Sequence, residues 1–228
     1  MGILYYLIGF IFPPKCCLCG KIMFDRENKI CSTCLSDLPY TYTKPIFPVG
    51  EKRNGRSKGY FYCVLAPFFY VKSVRSGILA LKFYGRKKTC EFFGGYMADA
   101  VQNCPFYSDI EVVLPVPASK KRTNLRGYNQ SQLLAQETVK IIDKPLLNNV
   151  LIRQTDSASQ SLAKNKTQRV KNVKNAFKVI NNEYIVDKTI LLVDDVVTTG
   201  ATLNECSRVL IENGAKKILC ITAARANK

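Results

Sequence analysis

Beyond residue 60 the apolar positions switch repeatedly between two spacings. Tyr60 to Tyr70 is aromatic and β-branched and reads as strand, whereas Ser73–Leu81 and Cys90–Gln102 read as helices. Ile110–Pro115 is a short apolar strand. Gly127–Ile142 then reads as a helix with Leu134, Thr138, Ile141 and Ile142 on one face. Lys174–Ile180 has strand character, and Thr189-Ile-Leu-Leu-Val193 is an unbroken apolar run of the kind buried on both faces. From Thr202 to Asn213 a helical stripe of Leu203, Cys206, Val209 and Leu210 is ended by Gly214, and Lys217–Ala223 makes a last strand. Alternating strands and helices, with fully apolar strands, predict an α/β domain with a parallel sheet covered on both faces.

The first sixty residues follow neither repeat. The start, MGILYYLIGFIFPP, has about eleven apolar residues before its prolines, too few to span a bilayer. It has no basic leader and no small-residue cleavage site, so it predicts a short helix packed on the main domain, with a peripheral membrane contact as the other reading. The expected location is cytoplasmic. Pro45, Pro48, Gly50 and Gly55, with Lys52, Arg53, Arg56 and Lys58, have the composition of a basic linker. A chain of 228 residues thus divides into an N-terminal unit over 1–45, a linker over 46–59 and one full domain over 60–228.

Five of the ten cysteines fall between positions 16 and 34. Cys16/Cys19 and Cys31/Cys34 form two CxxC pairs, the spacing of a small zinc knuckle in which each turn aims two thiolates at one point. Four cysteines close the tetrahedron, so this metal is expected to be structural. Cys17 is a spare and leaves an alternative ligation open. Cys63, Cys90, Cys104, Cys206 and Cys220 stand singly among apolar neighbours and read as small core residues.

Composition narrows the chemistry. The chain has no histidine, which excludes Ser-His-Asp triads, Cys-His dyads and every histidine-containing metal site. The net charge of +17 points to polyanionic ligands, and 13 of the Lys and Arg residues, against three acids, lie between 115 and 180. Within that region, 157–174 is polar and basic. It reads either as a lid over an anionic ligand or as a solvated helix face.

The sharpest chemical signal is ILLVDDVVTTGAT, residues 190–202. A buried strand ends in Asp194 and Asp195, and a turn rich in hydroxyls (Thr198, Thr199, Gly200, Ala201, Thr202) opens a helix. Ligands of parallel sheets bind off the carboxyl ends of the strands. Backbone N–H groups, threonine hydroxyls and a helix start cradle a phosphate, and Gly200 allows close approach. Thr202-Leu-Asn-Glu205 has the spacing of a capping box. Two acids repel phosphate, so they suit the hydroxyls of a sugar, or a magnesium ion bridging to one. No lysine follows the glycine, so this is not a Walker loop.

These residues resemble the phosphoribosyl pyrophosphate (PRPP) motif of type I phosphoribosyltransferases. Together with the double CxxC, they resemble the ComF family associated with DNA uptake in natural competence. Arg126-Gly-Tyr-Asn-Gln130, followed by a helix from Ser131, is similar to that family's RGxNQ segment, and Arg153, Gln160, Leu162, Arg169, Asn172 and Phe177 fall at its spaced pattern. The resemblance implies a type I phosphoribosyltransferase-like sheet over 60–228 and a zinc knuckle within 1–45. Asp194 and Asp195 would hold the ribose, while Val197, Thr198, Thr199, Gly200, Ala201 and Thr202 would wrap the 5′-phosphate. Lys82, with Phe83, would stand at a pyrophosphate loop, 157–174 would be a flexible hood, and 115–122 would line the mouth. Mg²⁺ would accompany PRPP.

Two functions follow from these expectations. In one, the chain binds PRPP and, through Lys120, Lys121, Arg122, Arg126 and Arg169, single-stranded DNA, beside other proteins of the competence machinery. In the other, it is a phosphoribosyltransferase of base-salvage type, with Asp194, Asp195 and Lys82 as its catalytic groups and no direct DNA binding.

Overall fold

A computed structural model describes residues 13–25, 27–41, 59–84, 87–154 and 175–226. The expected N-terminal helix (1–12), most of the linker and the hood segment 157–174, with Arg169, lie outside the described residues. The elements are α1 (Ser32–Ser36), β1 (Cys63–Leu65), β2 (Phe68–Phe69), α2 (Lys72–Tyr84), α3 (Lys87–Gln102), β3 (Val112–Pro115), α4 (Lys120–Arg126), α5 (Gln130–Ile142), β4 (Leu151–Arg153), β5 (Phe177–Val179), β6 (Thr189–Val197), α6 (Ala201–Glu212) and β7 (Lys217–Arg225).

The main sheet runs β1-β7-β6-β3, with β2 also paired to β7, and every pairing in it is parallel. Alternate residues of β6 feed different cores. Leu191 and Val193 join one apolar cluster, with Phe93, Met97 and Leu134 from α3 and α5. Ile190 and Leu192 join the other, with Leu203, Cys206 and Leu210 from α6. A two-residue period with both sets apolar is what a sheet covered on both faces requires. The fold is the expected type I phosphoribosyltransferase-like α/β sheet with flanking helices. β4 and β5 form a separate antiparallel pair rather than extending this sheet.

Two local expectations are corrected and one helix is added. The helix predicted from Gly127 begins at Gln130, because Asn129 caps it by accepting the Ser131 N–H. Ile141 is 49% exposed, while Leu134, Thr138 and Ile142 are buried as expected. Residues 120–126, given no element from sequence, form the short helix α4. Ser119 caps its start, and Gly127 ends it at φ 80°, a left-handed conformation suited to glycine.

The N-terminal unit is part of the first core. Cys16, Cys17, Leu18, Met23, Cys34 and Leu38 belong to the same buried cluster as Phe68, Ile78 and Leu81. Leu18 seats on Gly77 of α2 so closely that a Cβ there would lie 2.5 Å from Leu18 Cδ2 and 3.4 Å from its Cα. Gly94 plays the same part between α3 and α5, where a Cβ would lie 2.4 Å from Glu137 Cβ. Lys72 of α2 reaches Asp37 at 2.9 Å across the junction, an exposed pair that contributes little.

Gly77→Ala should therefore destabilise the chain by about 1–3 kcal/mol through overpacking, read from a urea titration. Wild-type stability in that variant would mean that the N-terminal unit does not seat on α2.

Candidate functional site

The described residues hold two chemical clusters. In the first, the Sγ atoms of Cys16, Cys19, Cys31 and Cys34 all lie within 4.8 Å of one another. A tetrahedron of zinc–thiolate bonds of ~2.3 Å has edges of ~3.8 Å, and Cys19 and Cys31 stand 3.8 Å apart. Burial opposes ionisation of Cys16. The backbone N–H groups of Cys19, Cys31 and Leu18 outweigh it and lower the thiol to about 7. The Cys31 N–H donates to Cys16 Sγ at 3.4 Å. A set of four thiols, one of them disposed to be thiolate, fits a closed structural zinc site.

Cys17 lies outside that cluster. Its thiol is pushed up to about 12, by burial first and then by the charge of Cys16, and it packs in the core. The thiols that cluster among the described residues are those of Cys16, Cys19, Cys31 and Cys34, without Cys17. Cys63, Cys90, Cys104, Cys206 and Cys220 are buried, as expected of core residues. Burial holds the Cys206 and Cys220 thiols well above their usual range.

The second cluster lies off the carboxyl ends of β3 and β6. β3 pairs with β6 from Val112↔Ile190 to Pro115↔Val193, and the Val116 N–H donates to the Val193 carbonyl at 2.8 Å. The two chains part at that point. β6 continues beside β7 through Asp194 and Asp195 to Val197, while the chain after β3 turns over into α4. Between them is a cavity of about 310 Å³. Asp194, Asp195 and Thr202 line it, together with Arg122 and Arg126 of α4 and Arg153 of β4. Two carboxylates and three guanidiniums in one cleft sort a ligand by charge, hydroxyls toward the acids and phosphoryl oxygens toward the arginines.

The acid pair is braced. Asp194 Oδ1 accepts from Ser131 Oγ at 2.8 Å and from the Asp195 N–H at 2.8 Å. Asn129 Nδ2 donates to the Val116 carbonyl at 3.0 Å, joining the start of α5 to the loop after β3. Gly200, at φ 76°, lets β6 turn into α6, with Phe61 the nearest neighbour of its open side. The capping box does not form. α6 begins at Ala201, one residue before Thr202, and Glu205 instead accepts from the Asn175 N–H at 2.7 Å and binds Arg208 through both carboxylate oxygens.

The cavity brings together Asp194, Asp195, Thr202, Arg122 and Arg126 of the residues singled out from sequence. Val197 ends β6, Thr198, Thr199 and Gly200 form the turn, and Ala201 starts α6; these five do not line the cavity. Lys120 and Lys121 are exposed on α4. Lys82 continues α2 rather than standing in a loop after it; its side chain lies outside the described residues. Arg153, Ser131 and Asn129 were not assigned to the site from sequence. Arg153 was visible only as one position of the spaced family pattern.

The chain's relatives agree with this division. The family model "Phosphoribosyl transferase domain" matches residues 130–228, and "Double zinc ribbon domain" matches residues 7–47. "Competence protein F" of Haemophilus influenzae is 42% identical over 118 residues, 51% of each chain. "Competence protein ComFC" of Bacillus subtilis is 38% identical over 103 residues, 45% of this chain and 39% of that one. "DNA utilization protein YhgH" of Escherichia coli K12 is 31% identical over 106 residues, 46% and 45% of the two chains. The matched stretch spans about half or less of each relative's length. These matches bear out the ComF-family resemblance. Among the described residues no helix is long and apolar enough to cross a membrane.

Because the four thiols share a core with α2 and α3, stripping the metal should lower the main unfolding transition rather than add an early separate one. Thermal unfolding with and without a chelator, and of Cys34→Ser with its zinc content measured, checks this. A main transition that does not move would show that the knuckle is energetically independent.

Proposed function

We propose that this chain is a ComF-like competence protein, acting on the cytoplasmic side in DNA uptake beside other components of that machinery. It binds PRPP in the cavity and single-stranded DNA along its basic surfaces. The observation that carries the reading is that Asp194 and Asp195 line one cleft together with Arg122, Arg126 and Arg153 at the ends of β3 and β6. The acids take the ribose hydroxyls, and the turn Thr198–Thr202 takes the 5′-phosphate through N–H groups and hydroxyls. The pyrophosphate falls to the arginines, with Lys82 of α2 kept as a further group for it. Mg²⁺ comes with PRPP and adds positive charge to its pyrophosphate.

The same disposition favours a second reading, phosphoribosyl transfer without direct DNA binding. An acceptor nitrogen forms its bond to the anomeric carbon as the bond to the pyrophosphate oxygen breaks. The bonding pair leaves with pyrophosphate, and the nitrogen loses its proton to solvent. Arginines on the departing oxygens stabilise charge where it develops, and the two carboxylates steady a ribose of oxocarbenium character. Within this reading Arg122, Arg126 and Arg153 are the groups on the leaving side.

DNA binding rests on charge. Lys120 and Lys121 are exposed on α4 beside cavity-lining Arg122 and Arg126, and the whole chain carries +17. Such binding falls steeply with salt as counterions are released.

Calorimetric titration of PRPP with Mg²⁺ should give binding in the wild type that Asp194→Asn/Asp195→Asn abolishes. No heat in the wild type would overturn the PRPP reading. Single-stranded DNA affinity should fall with salt, and Lys120→Ala/Lys121→Ala should reduce the slope of log K against log salt by about 1–2. A slope of zero would remove the DNA reading and leave the transferase.

A further inference from the structure

Ser131 is the second residue of α5 and only 5% exposed, yet its hydroxyl serves a strand 63 positions away. It donates to Asp194 Oδ1 at 2.8 Å while its own N–H is held by Asn129 Oδ1 at 3.1 Å. The same Asp194 oxygen accepts the Asp195 N–H at 2.8 Å. Two donors, one on α5 and one on β6, restrict rotation of the carboxylate and require it to act as acceptor at that oxygen. The residues just before Ser131 extend the brace. Asn129 Nδ2 holds the Val116 carbonyl at 3.0 Å, and the Tyr128 hydroxyl holds the Leu81 carbonyl at 2.7 Å. Three residues of the stretch 128–131 thus touch α2, the loop after β3 and the acid on β6.

We infer that Ser131 is a positioning residue for ribose recognition, fixing the orientation in which Asp194 meets the sugar hydroxyls. The inference rests on reading the cavity as a PRPP site. Ser131 itself need not touch the ligand. Without its hydroxyl, Asp194 keeps its charge and loses one of two anchors, so the cost falls on the hydroxyls that the acid recognises rather than on the phosphate. A hydrogen bond to a charged group is worth roughly tenfold to a hundredfold in affinity.

The test is calorimetry on the full chain with three probes: PRPP with Mg²⁺, ribose 5-phosphate and 2-deoxyribose 5-phosphate. Ser131→Ala should weaken ribose 5-phosphate by about tenfold or more and the 2-deoxy sugar by clearly less, with the melting temperature kept. In an Asp194→Asn background the same change should have little further effect, because the two residues act as one unit. If Ser131→Ala proves unstable, Ser131→Cys keeps the size and carries the same comparison. A wild type that binds neither PRPP nor ribose 5-phosphate overturns the reading of the cavity and this inference with it. A wild type that binds, with Ser131→Ala binding all three probes equally well, overturns the inference alone. Equal weakening of both sugars also overturns it, since that would be the mark of general loosening.

Discussion

Burial of β6 on both faces is the constraint from which the site follows. A strand whose alternate residues all enter apolar cores must sit inside the sheet, with helices on either side. It pairs with β7 along its length and with β3 only as far as Val193. Its first charged side chains, Asp194 and Asp195, therefore emerge where one neighbour has already turned away. The acids gain a cleft beside them without leaving the sheet that holds their backbone. Extending β3 by two residues would close that cleft, because the Val116 N–H already bonds to the Val193 carbonyl at its lip.

Charge then divides the cleft. Carboxylates and guanidiniums line one cavity from different elements. The acids are fixed on β6, Arg122 and Arg126 on α4, and Arg153 on β4. Arg153 also lies over the Phe177 ring, with its guanidinium carbon 5.4 Å from the ring centroid. That contact ties its position to the β4–β5 pair. The end of that pair is in turn pinned to α6, since Glu205 accepts from Asn175 and Arg208 binds Glu205. The helix that starts at the phosphate-type turn thus also holds, one turn further on, the hairpin that supplies the third arginine.

What the sequence made legible was contrast within short windows. An apolar run broken by two acids and a glycine turn, and two CxxC pairs, each carry their chemistry in a few residues; the four thiols cluster as read, and the two acids line the cavity while the turn residues 197–201 do not. Helix α6 was legible because its stripe is one-sided. The features that escaped depend on partners far away along the chain. Ser131 and Asp194 are 63 residues apart, and neither shows the other in its own neighbourhood. Glu205 has the spacing of a cap, but its partners are Asn175 and Arg208, and a left-handed Gly200 starts the helix one residue early. Helix α4 has no buried residue, so no hydrophobic period announces it; its two caps alone define it. Ile141 and Ile142 could not share one helix face, because successive residues point about 100° apart. Ile142 took the buried side.

The same geometry links the metal to the cavity through α2. One side of that helix receives Leu18 at Gly77, so close that no side chain fits between them. One turn later the Leu81 carbonyl receives the Tyr128 hydroxyl. Tyr128 opens the four-residue stretch that holds Val116 through Asn129 and Asp194 through Ser131. Four thiols around one zinc would fix the turn that carries Leu18, and so how Leu18 meets α2. Loosening the knuckle would free the helix against which Tyr128 is referenced, so a structural metal remote from the cleft bears on the acids within it through packing and three hydrogen bonds.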